Sequence, residues 1–320
     1  MPKRLEQALL GDIGATNARF SLLADGALCP IANFEVARYA RFPDVVAAFL
    51  NMQPGQGQVT RALFAVAGPV EGGRSKLTNC SWIIDGDELR HTFGLAKVLV
   101  VNDFAATAYS LPGLTAGDLH AIGGGDSVPG APMAVLGPGT GLGVACLVPG
   151  AKEPVVIAGE GGHATFAAAS QREDAVIDYL RRQFGHVSAE RVVSGAGLEN
   201  LYRAIAALAQ DEVPSREAAE ITKIALDGSC RTAVAALDMF CAFLGSFSGN
   251  VALTFGARGG VYIAGGIAPR IVEFMGRSQF RRRFEDKGRL RPYLEAIASN
   301  VIVHPAAAFM GLKALDDHGC

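Results

Sequence analysis

The chain has little charge and almost no imbalance of charge. Charged residues make up 19% of its 320 residues, and 29 basic against 31 acidic side chains leave a formal net charge of −2. A nucleic-acid-binding domain is expected to carry an excess or a stripe of positive charge. Nucleic acid is therefore excluded as a partner, and an anionic membrane surface loses its main attraction for the same reason.

Cysteines are few and scattered. The sequence has six and no CxxC spacing: Cys29, Cys80, Cys146, Cys230, Cys241 and Cys320. Such a distribution is typical of reduced thiols in a cytosolic protein. Without a Cys/His cluster, structural zinc is not expected either.

Long hydrophobic runs are also scarce. The first apolar run, Ala8–Leu10, is far too short for the core of a signal peptide, so no export is expected. Residues 233–255 have the length of a membrane span but include Asp238, Gly249 and Asn250. These polar and small residues favour a buried helix over a span, and we expect a cytoplasmic protein with no membrane partner.

Glycine is abundant, with 39 residues placed mostly where short apolar runs end. Residues 8–10 lead into the turn Gly11–Asn17, after which apolar and polar residues alternate as in a returning strand. Residues 134–136 lead into Gly137–Gly141, and a second returning strand follows over residues 142–148. The sequence therefore predicts two β-hairpins with similar glycine-rich turns.

Strand and helix patterns alternate along the rest of the chain. Further strands are predicted over residues 63–66, 98–101 and 261–264, and helices over residues 42–50, 174–184, 197–209 and 231–253. This alternation is typical of the α/β class. The length and the repeated hairpin indicate two related lobes facing one cleft, with a weak linker signal at Leu111–Leu114.

The two glycine-rich turns are candidates for phosphate binding. Neither is a GxxxxGK[ST] loop, and no GxGxxG follows a strand. Small residues nevertheless let backbone N–H groups point at an anion, hydroxyls add donors, and a carboxylate such as Asp12 can hold Mg²⁺ near phosphates. One Gly-Thr-Gly hairpin alone is more often a simple turn, but two in matching positions favour phosphate binding.

Several polar residues have two interpretations each. Asn102-Asp103 ends an apolar strand, where it is either a helix N-cap or a carboxylate at the lip of a cleft. Glu160 and His163 have an ExxH spacing, but the two glycines between them disfavour a metal-binding helix. From its local sequence alone, Glu190 is expected to be a charge on a surface helix.

Two further features are expected to be structural. The basic residues between positions 277 and 291 are interrupted by Glu285 and Asp286, which is typical of a solvated face. The single tryptophan, Trp82, is expected to pack at the edge of a core.

Six motifs occur in the order found in one known family. They are GDIGATNAR, VVNDFAATAYS, GPGTGLGVA, GEGGH, HVSAERVVSGAGLENLY and VYIAGGIAPR. From about Leu9 to Gly311 the chain resembles the bacterial glucokinases of the hexokinase and actin ATPase superfamily. The resemblance implies two ribonuclease-H-like lobes around a central cleft: a small lobe over residues 1–112, completed by residues 303–320, and a large lobe over residues 113–302.

The resemblance also implies roles for individual residues. Asp103 is the expected catalytic base, and the expected substrate-binding residues are Asn79, Asn102, Asp103, Glu160, His163 and Glu190. The expected ATP-binding residues are Gly11, Asp12, Ile13, Gly14, Ala15, Thr16, Asn17, Gly139, Thr140, Gly141, Gly265 and Gly266, with Asp12 also serving Mg²⁺. Ala15 departs from the family's usual glycine, and its Cβ could narrow the approach to phosphate.

These residues imply an ATP-dependent kinase that acts with Mg²⁺ on the 6-hydroxyl of D-glucose, as a homodimer. One alternative is a broader hexokinase that also accepts mannose or glucosamine. Another is a sugar-responsive regulator that binds hexose without turnover, although Asp103 and the two turns disfavour it.

Overall fold

The computed structural model describes residues 6–53, 57–77 and 80–318. The strands of this part of the chain are β1 Glu6–Ile13, β2 Asn17–Ala24, β3 Ala27–Leu28, β4 Ala32–Glu35, β5 Gln58–Val66, β6 Arg74–Lys76, β7 Ile83–Asp85, β8 Lys97–Asn102, β9 Leu119–Gly123, β10 Met133–Pro138, β11 Leu142–Val148, β12 Val155–Gly159, β13 Val261–Ile263 and β14 Ser299–Ile302. The α-helices are α1 Phe42–Asn51, α2 Gly86–Phe93, α3 Asp103–Ser110, α4 Gln171–Phe184, α5 Gly195–Ala209, α6 Ala218–Leu226, α7 Arg231–Phe255, α8 Val272–Arg277, α9 Phe280–Glu285, α10 Arg291–Glu295 and α11 Ala307–Asp317. Every strand and helix that the sequence predicts is present, so the α/β class is confirmed.

The chain divides into two compact units. The first runs to Leu114 and takes in Lys152–Val156 and the chain from Pro305 onward. The second comprises Thr115–Ala151 and Ile157–His304.

The first unit is built on a mixed sheet. Its strand order is β3-β2-β1-β5-β8, with β4 also paired to β2. β1 and β2 form the antiparallel hairpin predicted from the sequence, while β1, β5 and β8 are parallel. The register places Ile13 opposite Val66 and Val66 opposite Asn102, so the first turn and the end of β8 share one edge of the sheet.

Aromatic side chains fill one face of this sheet. The rings of Phe42 and Phe64 are 5.1 Å apart, and that of Trp82 is 5.6 Å from Phe42. The Trp82 indole is buried and donates a 3.0 Å hydrogen bond to the carbonyl of Tyr39. Trp82 is therefore a core residue, as its sequence context predicts.

The second unit contains a sheet of related arrangement, with an additional antiparallel strand, β9, beside β14. Its order is β12-β11-β10-β13-β14-β9. The hairpin β10–β11 is antiparallel, and β10 continues in parallel to β13 and β14. Each unit therefore has a hairpin whose first strand also begins a parallel run, with a glycine-rich turn between the hairpin strands.

The long helix α7 is the centre of the second unit's core. It has 25 residues, and 83% of its most apolar stretch is buried inside the protein. Its Phe243 ring lies 4.7 Å from the ring of Phe166. The sequence-based interpretation of this segment as a buried helix is confirmed.

The interpretation of the basic stretch as a solvated face is correct only in part. Arg277, Arg282, Arg289 and Arg291 are exposed. Arg283 is buried, however, and Arg281 donates to the carbonyls of Ile297 and Leu294 at 2.9 and 3.0 Å. Lys287 donates to the carbonyl of Ser246 at 3.1 Å, and burial holds the pKa of its ammonium below the usual value. Arg281 and Lys287 are part of the packing because backbone carbonyls accept their hydrogen bonds, and Arg283 is part of it because it pairs with the buried carboxylate of Glu173.

Candidate functional site

The first hairpin turn is short and well tied. Gly14 donates from its backbone N–H to the carbonyl of Asn17 at 2.9 Å, which closes the turn. The Thr16 carbonyl accepts a 3.0 Å hydrogen bond from Val36. Gly11 and Ile13 are buried in β1, whereas Thr16 and Asn17 are exposed and Gly14 and Ala15 are partly exposed. Of the predicted phosphate-binding residues in this segment, those at the tip are therefore the ones that a ligand can reach.

Asp12 lies beside this turn and is held by a cation. Its register partner across the hairpin is Arg19, and the two side chains form an ion pair. Arg19 also donates to the carbonyl of Pro305 at 3.2 Å and lies 5.9 Å from the centre of the Phe309 ring. Sequence reasoning assigned no role to Arg19. The signal was available, because a hairpin closed between Gly14 and Asn17 places positions 12 and 19 opposite each other.

Asn102 and Asp103 lie where β8 ends and α3 begins. The Asn102 side-chain oxygen accepts hydrogen bonds from the N–H groups of Phe104 and Ala105 at 2.9 and 3.1 Å, so Asn102 is the N-cap of α3. Its amide nitrogen donates to the carbonyl of Gly68 at 3.1 Å. The cap interpretation therefore holds for Asn102, and its oxygen is occupied by the helix.

Asp103 is the first residue of α3 and remains partly exposed. Its Oδ1 accepts a 2.9 Å hydrogen bond from the Phe104 N–H. A carboxylate at a helix N-terminus is stabilised by the helix dipole and by the free N–H groups there. The position fixes the Asp103 carboxylate at the same sheet edge as the first turn, two strand spacings or about 10 Å from β1.

The second hairpin turn is closed in a similar way within its own unit. Gly139 donates to the carbonyl of Gly141 at 2.8 Å, and the first residue of α5, Gly195, donates to the carbonyl of Gly139 at 2.9 Å. Gly265 has a φ of +83°, and a Cβ there would lie 2.4 Å from the carbonyl oxygen of Pro138. The structure thus brings two predicted nucleotide-binding segments together, residues 139–141 and residues 265–266, and places the N-terminus of α5, which attracts anions, beside the first of them.

Glu160 precedes a single turn of 3-10 helix, Gly161–His163, and His163 is the last residue of that turn. Both side chains are exposed, and the His163 N–H donates to the Glu160 carbonyl at 3.0 Å. The sequence did not predict this short helix. Residues 6–53, 57–77 and 80–318 contain no group of three or more His, Cys, Asp or Glu side chains that could hold a metal ion.

Glu190 adjoins both the GEGGH motif and the second turn. Its N–H donates to the Gly162 carbonyl at 2.8 Å, and its Oε2 accepts a 2.9 Å hydrogen bond from the Leu142 N–H. Glu190 lies between helices α4 and α5, so its interpretation as a surface helix charge is wrong. Tertiary contacts across 48 positions place it here, and no local pattern could have indicated them.

The predicted residues therefore form one set in each unit. Asp12, Asn102 and Asp103 lie with the first turn, and Glu160, His163 and Glu190 lie with the second turn and Gly265. Asn79 lies outside the described residues. Each set combines N–H groups suited to phosphate with carboxylates suited to hydroxyls or a hard cation.

Comparison with known proteins shows the family of this chain. The family model described as Glucokinase matches residues 9–318. A glucokinase of Paramagnetospirillum magneticum is 46% identical over 312 residues, 97% of both chains, and one of Nitrobacter hamburgensis is 43% identical over 307 residues, 96% of both. The crystal structure of a glucokinase from an Antarctic psychrotroph is 35% identical, with a TM-score of 0.86 over 97% of this chain and 98% of that one. The chain belongs to the glucokinase family.

Proposed function

We propose that this protein transfers the γ-phosphoryl group of ATP to the 6-hydroxyl of D-glucose, giving glucose 6-phosphate and ADP. The observation that carries the proposal is the placement of Asp103. Its carboxylate is fixed at the start of α3, at the sheet edge that also holds the turn Gly14–Asn17. Membership of the glucokinase family over almost the whole chain supports the choice of substrate.

Asp103 is the proposed catalytic base. Phosphoryl transfer to an alcohol requires that the hydroxyl be aimed in line and that its proton be accepted as the new bond forms. Asn102 caps α3 and donates a hydrogen bond to the carbonyl of Gly68. The cap keeps the first turn of α3 from fraying and so holds the backbone of Asp103 in place. In this proposal the first unit supplies the base.

Backbone N–H groups and hydroxyls are the proposed phosphate ligands. The exposed tip of the first turn offers Thr16, and the second turn offers Thr140 beside the N-terminus of α5. Gly265 and Gly266, next to the second turn, are proposed to face the adenosine side of ATP. Ala15 stands at the tip of the first turn, where its Cβ reduces the space for the phosphate.

Asp12 suits a magnesium ion bound together with ATP. Mg²⁺ is usually held by one or two carboxylates and by the substrate's phosphates, not by a dedicated cage of side chains. Asp12 provides one hard oxygen ligand beside the first turn, and its ion pair with Arg19 keeps the carboxylate in place. The metal, when bound, neutralises charge on the phosphates.

The sugar hydroxyls are proposed to be hydrogen-bonded by Glu160, His163 and Glu190. Asn79 and Asn102 are proposed as further sugar ligands. Asn102 can contribute an amide N–H, because its oxygen is used by the cap of α3. A site that hydrogen-bonds particular hydroxyls rejects an epimer that leaves one of those groups unpaired. Discrimination against other hexoses is assigned to these residues.

The organisation of the whole protein is also part of the proposal. Both sheets contain an antiparallel hairpin followed by two parallel strands, which favours two ribonuclease-H-like lobes. We propose the boundaries 1–112 with 303–320 for the small lobe and 113–302 for the large one. A homodimer and a cytoplasmic location rest on the resemblance to the bacterial glucokinases.

Two coupled assays test the proposed function directly. ADP release compares the three sugars with ATP as the donor, and NADPH formed from glucose 6-phosphate compares ATP with polyphosphate as the donor to glucose. We expect turnover with ATP, Mg²⁺ and glucose, a slower rate with mannose or glucosamine, and none with polyphosphate in place of ATP. Equal rates with the three sugars would make the protein a broader hexokinase. Tight glucose binding without any turnover would identify a sugar-responsive regulator and contradict the proposal.

A further inference from the structure

Glu190 makes a contact that its role as a sugar reader does not require. Its Oε2 accepts a 2.9 Å hydrogen bond from the backbone N–H of Leu142, the residue that follows the turn Gly139–Gly141. Among the described residues no donor reaches the other carboxylate oxygen, Oε1. One oxygen of Glu190 is thus committed to the second turn, and the other is left for a ligand.

Gly141 makes room for this contact. A Cβ at position 141 would lie 2.5 Å from Glu190 Oε2, closer than van der Waals contact allows. A Cβ at Gly139, in the same turn, would meet no atom within 4 Å. Neither glycine has a positive φ, so alanine is conformationally acceptable at both positions. The close contact that a Cβ would make at position 141 therefore comes from the Glu190 carboxylate and not from the backbone.

The backbone around Glu190 is held by hydrogen bonds, so a contact with a Cβ at position 141 can be relieved only by rotation of the Glu190 side chain. The Glu190 N–H donates to the Gly162 carbonyl at 2.8 Å, and its carbonyl accepts a 2.8 Å hydrogen bond from the Ser194 hydroxyl. Ala189 next to it donates to Ala164 at 3.0 Å. With the main chain fixed on both sides, a new methyl group at position 141 would displace the side chain and break its bond to Leu142.

We propose that Gly141 is a positioning residue for Glu190. Its missing Cβ lets the carboxylate lie against the second turn, where the Leu142 N–H fixes Oε2 and so directs Oε1 to a sugar hydroxyl. A residue assigned to phosphate binding by its motif thereby sets the affinity for glucose. This inference rests on the proposed function, in which Glu190 binds glucose.

Calorimetric titration with glucose, in the absence of nucleotide, compares Gly141→Ala with its matched control Gly139→Ala. We expect Gly141→Ala to raise the Kd for glucose about tenfold or more, the effect of losing one well-placed hydrogen bond to a charged group. Gly139→Ala should leave the Kd within about twofold, whatever it does to ATP binding. Equal Kd values for Gly141→Ala and the wild type would overturn the inference.

A double-mutant cycle separates crowding of the carboxylate from a general disturbance of the turn. Glu190→Ala should weaken glucose binding, and adding Gly141→Ala to it should cause no further change, because the crowded carboxylate is gone. A further loss would show that the turn itself needs glycine and would contradict the inference. If Gly141→Ala alone does not fold, the double variant must still fold as stably as Glu190→Ala, and its failure to do so would have the same meaning.

The wild-type titration distinguishes the two proposals. Failure of the wild type to bind glucose would contradict the proposed function. Normal wild-type binding together with an unaffected Gly141→Ala variant would contradict only the role of Gly141.

Discussion

Arg283 and Glu173 form a buried ion pair inside the second unit. Arg283 Nη1 lies 2.6 Å from Glu173 Oε1, and each side chain is only 7% exposed. Arg283 Nε also donates to the Ser246 hydroxyl at 3.1 Å, while Glu173 Oε2 accepts from the Ala169 N–H at 2.8 Å. The pair joins α4 to α9 and to the central helix α7, and it uses most of the polar atoms that burial would otherwise leave unsatisfied.

Breaking this pair should destabilise the protein strongly. Arg283→Met leaves the Glu173 carboxylate buried without its cation, which typically costs about 3–5 kcal/mol of unfolding free energy. Arg182→Met is the matched control, because Arg182 pairs with Asp178 at 2.6 Å on the exposed face of α4 and such pairs contribute less than about 1 kcal/mol. Urea denaturation of both variants measures the difference. Equal midpoints would show that the buried pair adds no more than a surface one.

Removing the cap of α3 should affect catalysis as well as stability. Asn102→Ala loses two bonds to the helix N-terminus and one to Gly68, at a cost of about 0.5–2 kcal/mol. Asp103 is the next residue, so loss of the cap should also disturb the position of its carboxylate. We therefore expect kcat to fall.

Asp85→Ala serves as the control for Asn102→Ala. Asp85 caps α2 in the same unit through bonds of 3.0 and 3.1 Å to the N–H groups of Asp87 and Glu88. The Asp85→Ala variant should lose about as much unfolding free energy as Asn102→Ala and should keep the wild-type kcat. If both cap variants lose kcat equally, the effect belongs to general loosening of the unit and not to placement of Asp103.

Asp12 should govern the metal requirement and not the choice of sugar. Asp12→Ala removes the oxygen ligand beside the first turn, so the Mg²⁺ concentration for half-maximal rate should rise and the rate at saturating metal should fall. The ratio of the glucose and mannose rates is the internal control and should stay constant. A changed ratio of the glucose and mannose rates with an unaltered Mg²⁺ titration would contradict this role and indicate that Asp12 contacts the sugar.

Two thiols should be inert in the folded protein. Burial raises the pKa of Cys146 to about 11 and that of Cys241 to about 12, so at pH 8 both are protonated and shielded from reagent. Iodoacetamide labelling followed by peptide mass spectrometry should leave both unmodified until denaturant is added. The partly exposed Cys29 and Cys230 provide the comparison, and labelling of Cys241 as fast as theirs would contradict its burial.

Local patterns predicted the parts of the fold that local chemistry determines. The hairpin strands β1–β2 and β10–β11 could be read from apolar runs that end in glycine-rich turns, and α7 from apolar residues at helical spacing. The two-residue strand β3 and the 3-10 turn at Gly161–His163 could not, because pieces this short form through tertiary pairing.

Contacts between distant positions explain what the sequence could not reveal about the site. Arg283 looks like one of many surface arginines until folding places it against a carboxylate 110 positions away. Glu190 likewise lies next to Leu142 only in the folded chain. The sequence motifs indicated which side chains are candidates for the site. The hydrogen-bond partners of those side chains depend on tertiary packing, which the motifs do not contain.

The kcat of Asp103→Asn, measured with saturating ATP, Mg²⁺ and glucose, tests the central claim most directly. The amide keeps the size of the side chain and loses the proton acceptor, so kcat should fall by about 10²–10⁴, the usual contribution of a general base. Glucose binding, followed by calorimetry, should weaken but stay detectable. Asp87→Asn, the same change at an exposed carboxylate of α2, should keep kcat within about twofold. A kcat for Asp103→Asn above about a tenth of the wild-type value would contradict the assignment of Asp103 as the catalytic base.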